Sequence, residues 1–304
     1  MQTTVATSIH LNGIGLHTGR PARLSIHPAS PHHGIWFNRT DVDGDGMIPA
    51  RHDAVEASPL CTLLTNEAGV SVSTVEHLMA ALAGCGILNA VIDVDGPELP
   101  ILDGSSAGFV SAILRAGIRS FDAPVHAIEV LRRVAVQEGS AYAELTPASE
   151  LEIDFSIDFP DPAIGRQRKV LRMSNGSFAR ELADSRTFCR QSDVDAMRAS
   201  GKALGGTLEN AVVVDGDRIM NPGGLRHADE MVRHKMLDAL GDLALAGAPL
   251  FGRVTTVRGG HALTNKLLRA LFADPLAYRV RTLEERELDG LPGAGIEHDH
   301  IAYA

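Results

Sequence analysis

The sequence predicts an α+β chain made of two domains of similar topology, and three observations carry that prediction. In each half, strand-like runs come first and helical blocks follow, an order that favours α+β over a doubly wound α/β fold. The halves also share a faint internal repeat. Val75-Glu76-His77-Leu78-Met79 parallels Val232-Arg233-His234-Lys235-Met236, and Ile113-Leu114-Arg115-Ala116 parallels Leu267-Leu268-Arg269-Ala270. Lastly, the order helix, strand, loop, helix recurs at nearly the same spacing, with a split near residues 120–126. Chance likeness between Leu/Ala-rich helices is the competing explanation of the repeat.

The elements follow in order. Val5 to Ile9, Ala22 to His27 and Gly34 to Asn38 are short β-like runs between Gly turns. A helix spans Ser73 to Gly84, with Ser73 or Thr74 as N-cap and Gly84 as its stop. Asn89 to Val94 reads as a strand. The Gly/Pro/Asp loop from Asp95 to Ser105 leads to a helix over Ala107 to Ala116. In the second half, Val125 to Val136, Ala141 to Leu145 and Glu150 to Phe159 read as strands. A helix from about Asp229 to Ala246, a strand over Leu250 to Val257 and a helix over Ala262 to Phe272 complete it. The expected domains are therefore 1–124 and 125–280. Residues 281–304 are polar, acidic and Gly-rich, and are expected to form a flexible tail.

Composition excludes several classes. At 304 residues, 44% hydrophobic and 22% charged, the chain is long and apolar enough for real cores and reads as a soluble protein. A formal charge of -10 argues against nucleic acid as a partner, because such binding needs Lys and Arg to neutralise phosphates. The first residues lack the basic and apolar regions of a secretory signal, and no run of roughly 18 apolar residues exists to span a membrane. Cys61, Cys85 and Cys189 are odd in number and lack CxxC spacing. They suit a reducing cytoplasm without disulfides.

The chemistry-bearing residues fall in four places. His234, Asp238 and Asp242 stand at i, i+4 and i+8, one stripe of a helix. Such a stripe can bind a metal from one face, or it can be an ordinary polar face. Its otherwise apolar helix favours the first, since a buried charge needs a partner or a metal. Glu76 precedes His77 on the first helix. A Glu beside a ligating His suits the general base of a metal hydrolase, whereas Ser73 with Glu76 equally fits a capping box. His261 follows Gly259-Gly260 at a helix start, free to reach a site, with Asp242 a candidate to keep it protonated. In Ser185-Arg186-Thr187-Phe188, the Thr187 hydroxyl could donate to an oxyanion, or the segment could be a plain strand end. Gly13-Ile14-Gly15-Leu16-His17-Thr18-Gly19 is not a G-x-G-x-x-G fingerprint, and a tight hairpin would account for its glycines.

Taken together these motifs resemble one family, the UDP-3-O-acyl-N-acetylglucosamine deacetylases of lipid A biosynthesis. The matching stretches are Gly13 to Gly19, Ser73-Thr74-Val75-Glu76-His77-Leu78, Glu98-Leu99-Pro100-Ile101-Leu102-Asp103-Gly104-Ser105, Ser185 to Phe188, Asp229 to Asp238, and Gly260-His261-Ala262-Leu263-Thr264-Asn265. They stand in family order over about residues 3–272. The resemblance implies a cytoplasmic, monomeric zinc enzyme that removes the N-acetyl group of UDP-3-O-(3-hydroxyacyl)-N-acetylglucosamine. Its zinc ligands would be His77, His234 and Asp238, a set that iron(II) also suits. Glu76 would be the general base, and His261 the general acid and oxyanion stabiliser. Asp242 would orient His261, Thr187 would donate to the oxyanion, and Lys235 would contact the substrate. The implied fold is two sheets, each packed on a pair of helices, with a small insert in each domain. The second insert, about Phe188 to Val214, would form an acyl passage walled by Phe188, Val194, Ala211 and Val213.

The chain departs from the family pattern in places. Ser140-Ala141-Tyr142 stands where some members carry a diphosphate-binding Lys, which shifts that role to Arg258. Cys61-Thr62-Leu63 replaces a Cys-Thr-Cys, so a thiol at the site mouth is expected to be missing. The competing functions are a zinc hydrolase of another amide and a non-catalytic nucleotide-sugar or acyl-chain binding protein. Binding alone would not need both an acid and a base, as Glu76 and His261 together would supply. A structural zinc would take four protein ligands.

Overall fold

The computed structural model describes residues 1–296. Two main sheets organise the chain, and they are built to one plan. The first runs in the spatial order Ile9–Ile14, Pro21–Pro28, Ala90–Val94, Ile35–Arg39, Met47–Pro49. Its central pair, Ala90–Val94 with Ile35–Arg39, is parallel, and the other neighbours are antiparallel. The second sheet places Val134–Glu138, Ala141–Thr146, Leu250–Val257, Leu151–Asp158 and Arg166–Arg172 in the equivalent order, with the equivalent pair parallel.

The likeness extends to the rims. Thr3–Val5 pairs with Ile118–Ser120, and His126–Val130 pairs with Tyr278–Thr282. Thr4 bridges Asn89 in parallel, as Ile128 does Leu250. The internal repeat is therefore one of topology, and the two helical matches in the sequence are its visible remnant.

The helices are α1 (Glu76–Gly84), α2 (Ala107–Ala116), α3 (Ser177–Glu181), α4 (Gln191–Ala199), α5 (Glu230–Ala244) and α6 (His261–Phe272). α1 and α2 belong to the first half, α5 and α6 to the second. α1 and α5 lie against each other at the middle of the molecule. Period-2 burial in Pro21–Pro28, where Ala22, Leu24 and Ile26 are buried, turns one sheet face toward helices. Leu78, Met79 and Leu82 of α1 join Met236, Leu237 and Leu240 of α5 in one continuous core.

Gly241 sets how closely these helices approach. A Cβ at that position would lie 2.1 Å from the Glu76 carbonyl oxygen. Any side chain there would push α5 away from the start of α1, where Glu76 and His77 sit. Glycine is required by contact rather than by backbone angle.

Each half carries its small insert before its central helix. In the first, Val55–Glu56, Leu63–Thr65 and Ser71–Ser73 form a three-stranded sheet. In the second, Phe188–Arg190, Val212–Asp215 and Arg218–Ile219 form another, with α4 beside it. The second insert thus reaches past the expected Val214 to Ile219.

Several elements differ from the sequence expectation. Val125 to Val136 is two strands, because the chain leaves one partner at Val130 and takes another at Val134. Val5 to Ile9 is a turn between two strands that end and begin there. Residue 73 still belongs to a strand, and Thr74 has φ 59°, so α1 starts at Glu76 without a side-chain cap. The capping box does not form: Ser73 Oγ donates to the Pro97 carbonyl instead.

The polar tail departs most. Tyr278–Thr282 is a paired strand across residue 280, and Leu283, Leu288 and Leu291 pack on a small core with Val125, Ala127 and Phe251. Gly293 packs against Gly86. Polar composition hid these few leucines, and residues 297–304 lie outside the described residues.

Candidate metal centre

α5 presents His234, Asp238 and Asp242 inward, and all three are buried. The stripe is therefore not a solvated face. α1 brings His77 to it from the other half of the chain. The His77 Nε2 atom lies 3.6 Å from Asp238 Oδ1, and His234 Nε2 lies 3.3 Å from the same oxygen. One ligand atom from each of the three residues falls within 4.8 Å of the others.

The protonation states fit a cation between them. Nδ1–H of His234 donates to the Ser185 carbonyl at 3.0 Å, which leaves the Nε2 lone pair facing Asp238. Burial pushes the His234 pKa down to about 4, so the ring is neutral, as a ligand must be. Burial works against the Asp238 anion, but its polar neighbours, the Lys235 ammonium among them, outweigh it and hold its pKa well below the usual range. Lys235 Nζ donates to Oδ2 of Asp238 at 2.8 Å. The other oxygen, Oδ1, is buried without a hydrogen-bond partner among the described residues, between the two imidazoles. A buried carboxylate oxygen so placed lacks only a cation. Two imidazoles and one carboxylate with room for water are the donor set of a catalytic rather than a structural site.

Beside this triad stand Glu76 and His261. Burial raises the pKa of Glu76, against the pull of the His261 charge. Its Oε1 lies 3.8 Å from His261 Nε2. Burial alone would lower the His261 pKa; Asp242, Glu76 and Asp238 outweigh it and hold it at about 9. The ring is thus cationic at neutral pH, with Nδ1–H donating to Asp242 Oδ2 at 2.9 Å and Nε2–H free to face a reactant.

A cavity of about 860 Å³ opens from this cluster. Glu76, His77, Thr187, His234, Lys235, Asp238 and His261 line it, and so do Phe188, Val194, Ala211 and Val213 of the second insert. The expected apolar wall is thus brought together with the polar cluster. Arg258 is placed elsewhere. It is an exposed residue outside the lining, and its guanidinium is taken up by Asp158. The thiol absent at Leu63 leaves two other cysteines near the site. Leu63 lies in the insert strand, while Cys61 is buried within the field of the Glu76 charge and Cys189 lines the cavity.

Residues without catalytic chemistry hold the cluster, and sequence reasoning missed them. Glu98 accepts from the backbone N–H of His17 and Thr18 at 2.8 Å each and from Thr74 Oγ1 at 3.1 Å. It thereby fixes a β-branched residue in the left-handed region just before α1. Gly15 leaves space for it, since a Cβ there would meet Glu98 Oε2 at 2.3 Å. Thr187 N–H donates to the Gly104 carbonyl at 2.7 Å, which ties the second half to the Asp103-Gly104-Ser105 turn of the first.

Arg186 and Glu230 form a buried ion pair, with Nε donating to Oε1 at 2.9 Å. The pair anchors the segment whose Ser185 carbonyl holds His234. Arg186→Ala would strand the Glu230 carboxylate, and the expected cost is about 3–5 kcal/mol of stability. Thermal unfolding checks this, and an unchanged Tm would contradict it.

Comparison with known proteins places the chain in a family. The family model described as UDP-3-O-acyl N-acetylglycosamine deacetylase matches residues 2–273. A UDP-3-O-acyl-N-acetylglucosamine deacetylase of Phenylobacterium zucineum is 51% identical over 285 residues, covering 93% of this chain and 97% of the relative. One of Pasteurella multocida is 44% identical over 288 residues, covering 94% of each chain. One of a Shewanella species is 45% identical over 286 residues, covering 93% of this chain and 94% of the relative. No helix among the described residues is long and apolar enough to cross a membrane. The match to this family runs over nearly the whole chain, and its relatives are named for hydrolysis of an amide: this chain belongs to the UDP-3-O-acyl N-acetylglycosamine deacetylase family.

Proposed function

We propose that the chain removes the N-acetyl group of UDP-3-O-(3-hydroxyacyl)-N-acetylglucosamine, releasing acetate and the free amine, as a step of lipid A biosynthesis in the cytoplasm. The observation that carries this proposal is a buried His77–His234–Asp238 cluster, flanked by Glu76 and His261, at a cavity with a long apolar wall. His77, His234 and Asp238 would hold zinc, or iron(II) in the same site. Such an ion, when bound, acidifies water and polarises the amide carbonyl.

The chain's own residues do the rest. Glu76 takes a proton from the attacking water through Oε1. His261, cationic and oriented by Asp242, stabilises the developing oxyanion and gives its Nε2 proton to the departing amine. Thr187 donates to the same oxyanion, where a preorganised donor acts most strongly. Lys235 keeps Asp238 ionised and contacts the sugar. Phe188, Val194, Ala211 and Val213 take the acyl chain. Surface Arg258, bound to Asp158, must change partner to meet the diphosphate. Free Cys61, Cys85 and Cys189 suit a reducing compartment, and we take the working unit to be a monomer.

The acyl wall gives a direct test. Each buried methylene contributes about 0.8 kcal/mol, roughly a fourfold change in kcat/KM. Shortening the 3-O-acyl chain stepwise is therefore expected to lower kcat/KM by about that factor per methylene. Equal turnover of acylated and unacylated UDP-N-acetylglucosamine would favour a hydrolase of simpler amides.

A further inference from the structure

We infer that Thr62 is a positioning residue that holds the general base and the acid's carboxylate partner in one register. This rests on the acid–base roles proposed above for Glu76 and His261. Thr62 N–H donates to Glu76 Oε2 at 3.0 Å. Its hydroxyl donates to Asp242 Oδ1 at 2.6 Å and lies 3.2 Å from His261 Nδ1. The residue is buried. One residue of the first insert thus touches Glu76 from α1, Asp242 from α5 and His261 from α6.

The local structure explains how it gets there. Leu63 pairs with Ser73, so the residue before Leu63 stands opposite the turn that starts α1. The insert sheet therefore sets Thr62 beside Glu76 through strand register, not through loop placement. Each contact occupies one oxygen of a carboxylate and leaves the other for chemistry. With Oε2 held by the Thr62 backbone, Glu76 turns Oε1 toward His261 Nε2. With Oδ1 held by the Thr62 hydroxyl, Asp242 turns Oδ2 to His261 Nδ1. The backbone contact survives any side-chain change, so the hydroxyl is the part that a substitution can test. Without it, Asp242 can rotate or accept from His261 through either oxygen, and the angle at which Nε2–H meets the leaving amine is no longer fixed. Such partners one shell out from the reacting groups are worth about 10- to 100-fold in activity.

The experiment compares wild type, Thr62→Val, Thr62→Ser, Asp242→Ala and the double variant Thr62→Val/Asp242→Ala, each with one equivalent of zinc. Steady-state deacetylation gives kcat and KM, and metal content is measured on the same samples. Thr62→Val is expected to lower kcat about 10- to 100-fold with KM and metal content nearly unchanged, and Thr62→Ser to restore most of the loss. On the Asp242→Ala background, which has no carboxylate to strand, Thr62→Val should fold and subtract little more. Wild-type kcat in Thr62→Val, a loss confined to KM, or a full additive loss on Asp242→Ala would overturn the inference. An inactive, zinc-loaded wild type would instead overturn the functional proposal beneath it.

Discussion

Glu76→Gln is expected to lower kcat by about 10²- to 10⁴-fold, with KM and bound metal nearly unchanged. The substitution keeps size and leaves an amide oxygen to accept from the Thr62 N–H. What it removes is the proton acceptor beside His261 Nε2. The site contains other carboxylates, but each is committed: Asp238 to Lys235 and the two imidazoles, Asp242 to Thr62 and His261. Neither can take over as base without giving up its present partner. The loss should therefore fall on the chemical step. Turnover within tenfold of wild type, with full metal content, would mean that Glu76 serves only to balance the His261 charge.

His77→Ala and His234→Ala are each expected to abolish both metal retention and deacetylation, although the two residues belong to different halves of the chain. Each supplies one of three ligand atoms, and a pair of ligands on one buried face holds a divalent ion far less tightly. The largest effect should be in metal content after dialysis, measured by atomic emission beside the activity. His234→Ala also leaves the Ser185 carbonyl without its donor, so its Tm should fall more than that of His77→Ala. If His77→Ala kept a full equivalent of metal, the site would lie within the second half alone, and α1 would be packing rather than ligation.

Much of this arrangement was legible in the sequence because it depends on residue type and helical spacing. The stripe from His234 to Asp242 and the adjacent Glu76 and His77 declare themselves by carrying charge in apolar helices. The topological repeat was visible only where helix packing keeps similar residues, at Val75 to Met79 and Val232 to Met236. Its strands have diverged, because period-2 patterning tolerates any apolar residue on the buried face. Three kinds of feature stayed hidden. The capping box at Ser73 and Glu76 fits by pattern, but Ser73 stays in its strand and donates to the Pro97 carbonyl, while Glu98, from a loop more than twenty residues away, takes Thr74. Thr62 and Glu98 act through backbone amides and single oxygens, which no residue pattern announces. The tail is polar on average, yet Leu283, Leu288 and Leu291 suffice to dock it once Tyr278–Thr282 has found its rim position.

The most direct test of the central claim is acetate release from UDP-3-O-(3-hydroxyacyl)-N-acetylglucosamine by purified protein, first stripped of metal and then given one equivalent of zinc. The expected result is no acetate from the stripped protein and recovery of turnover on reaching one zinc per chain. A folded, fully metal-loaded sample that releases no acetate would contradict the claim, and so would a stripped sample that turns over at the full rate.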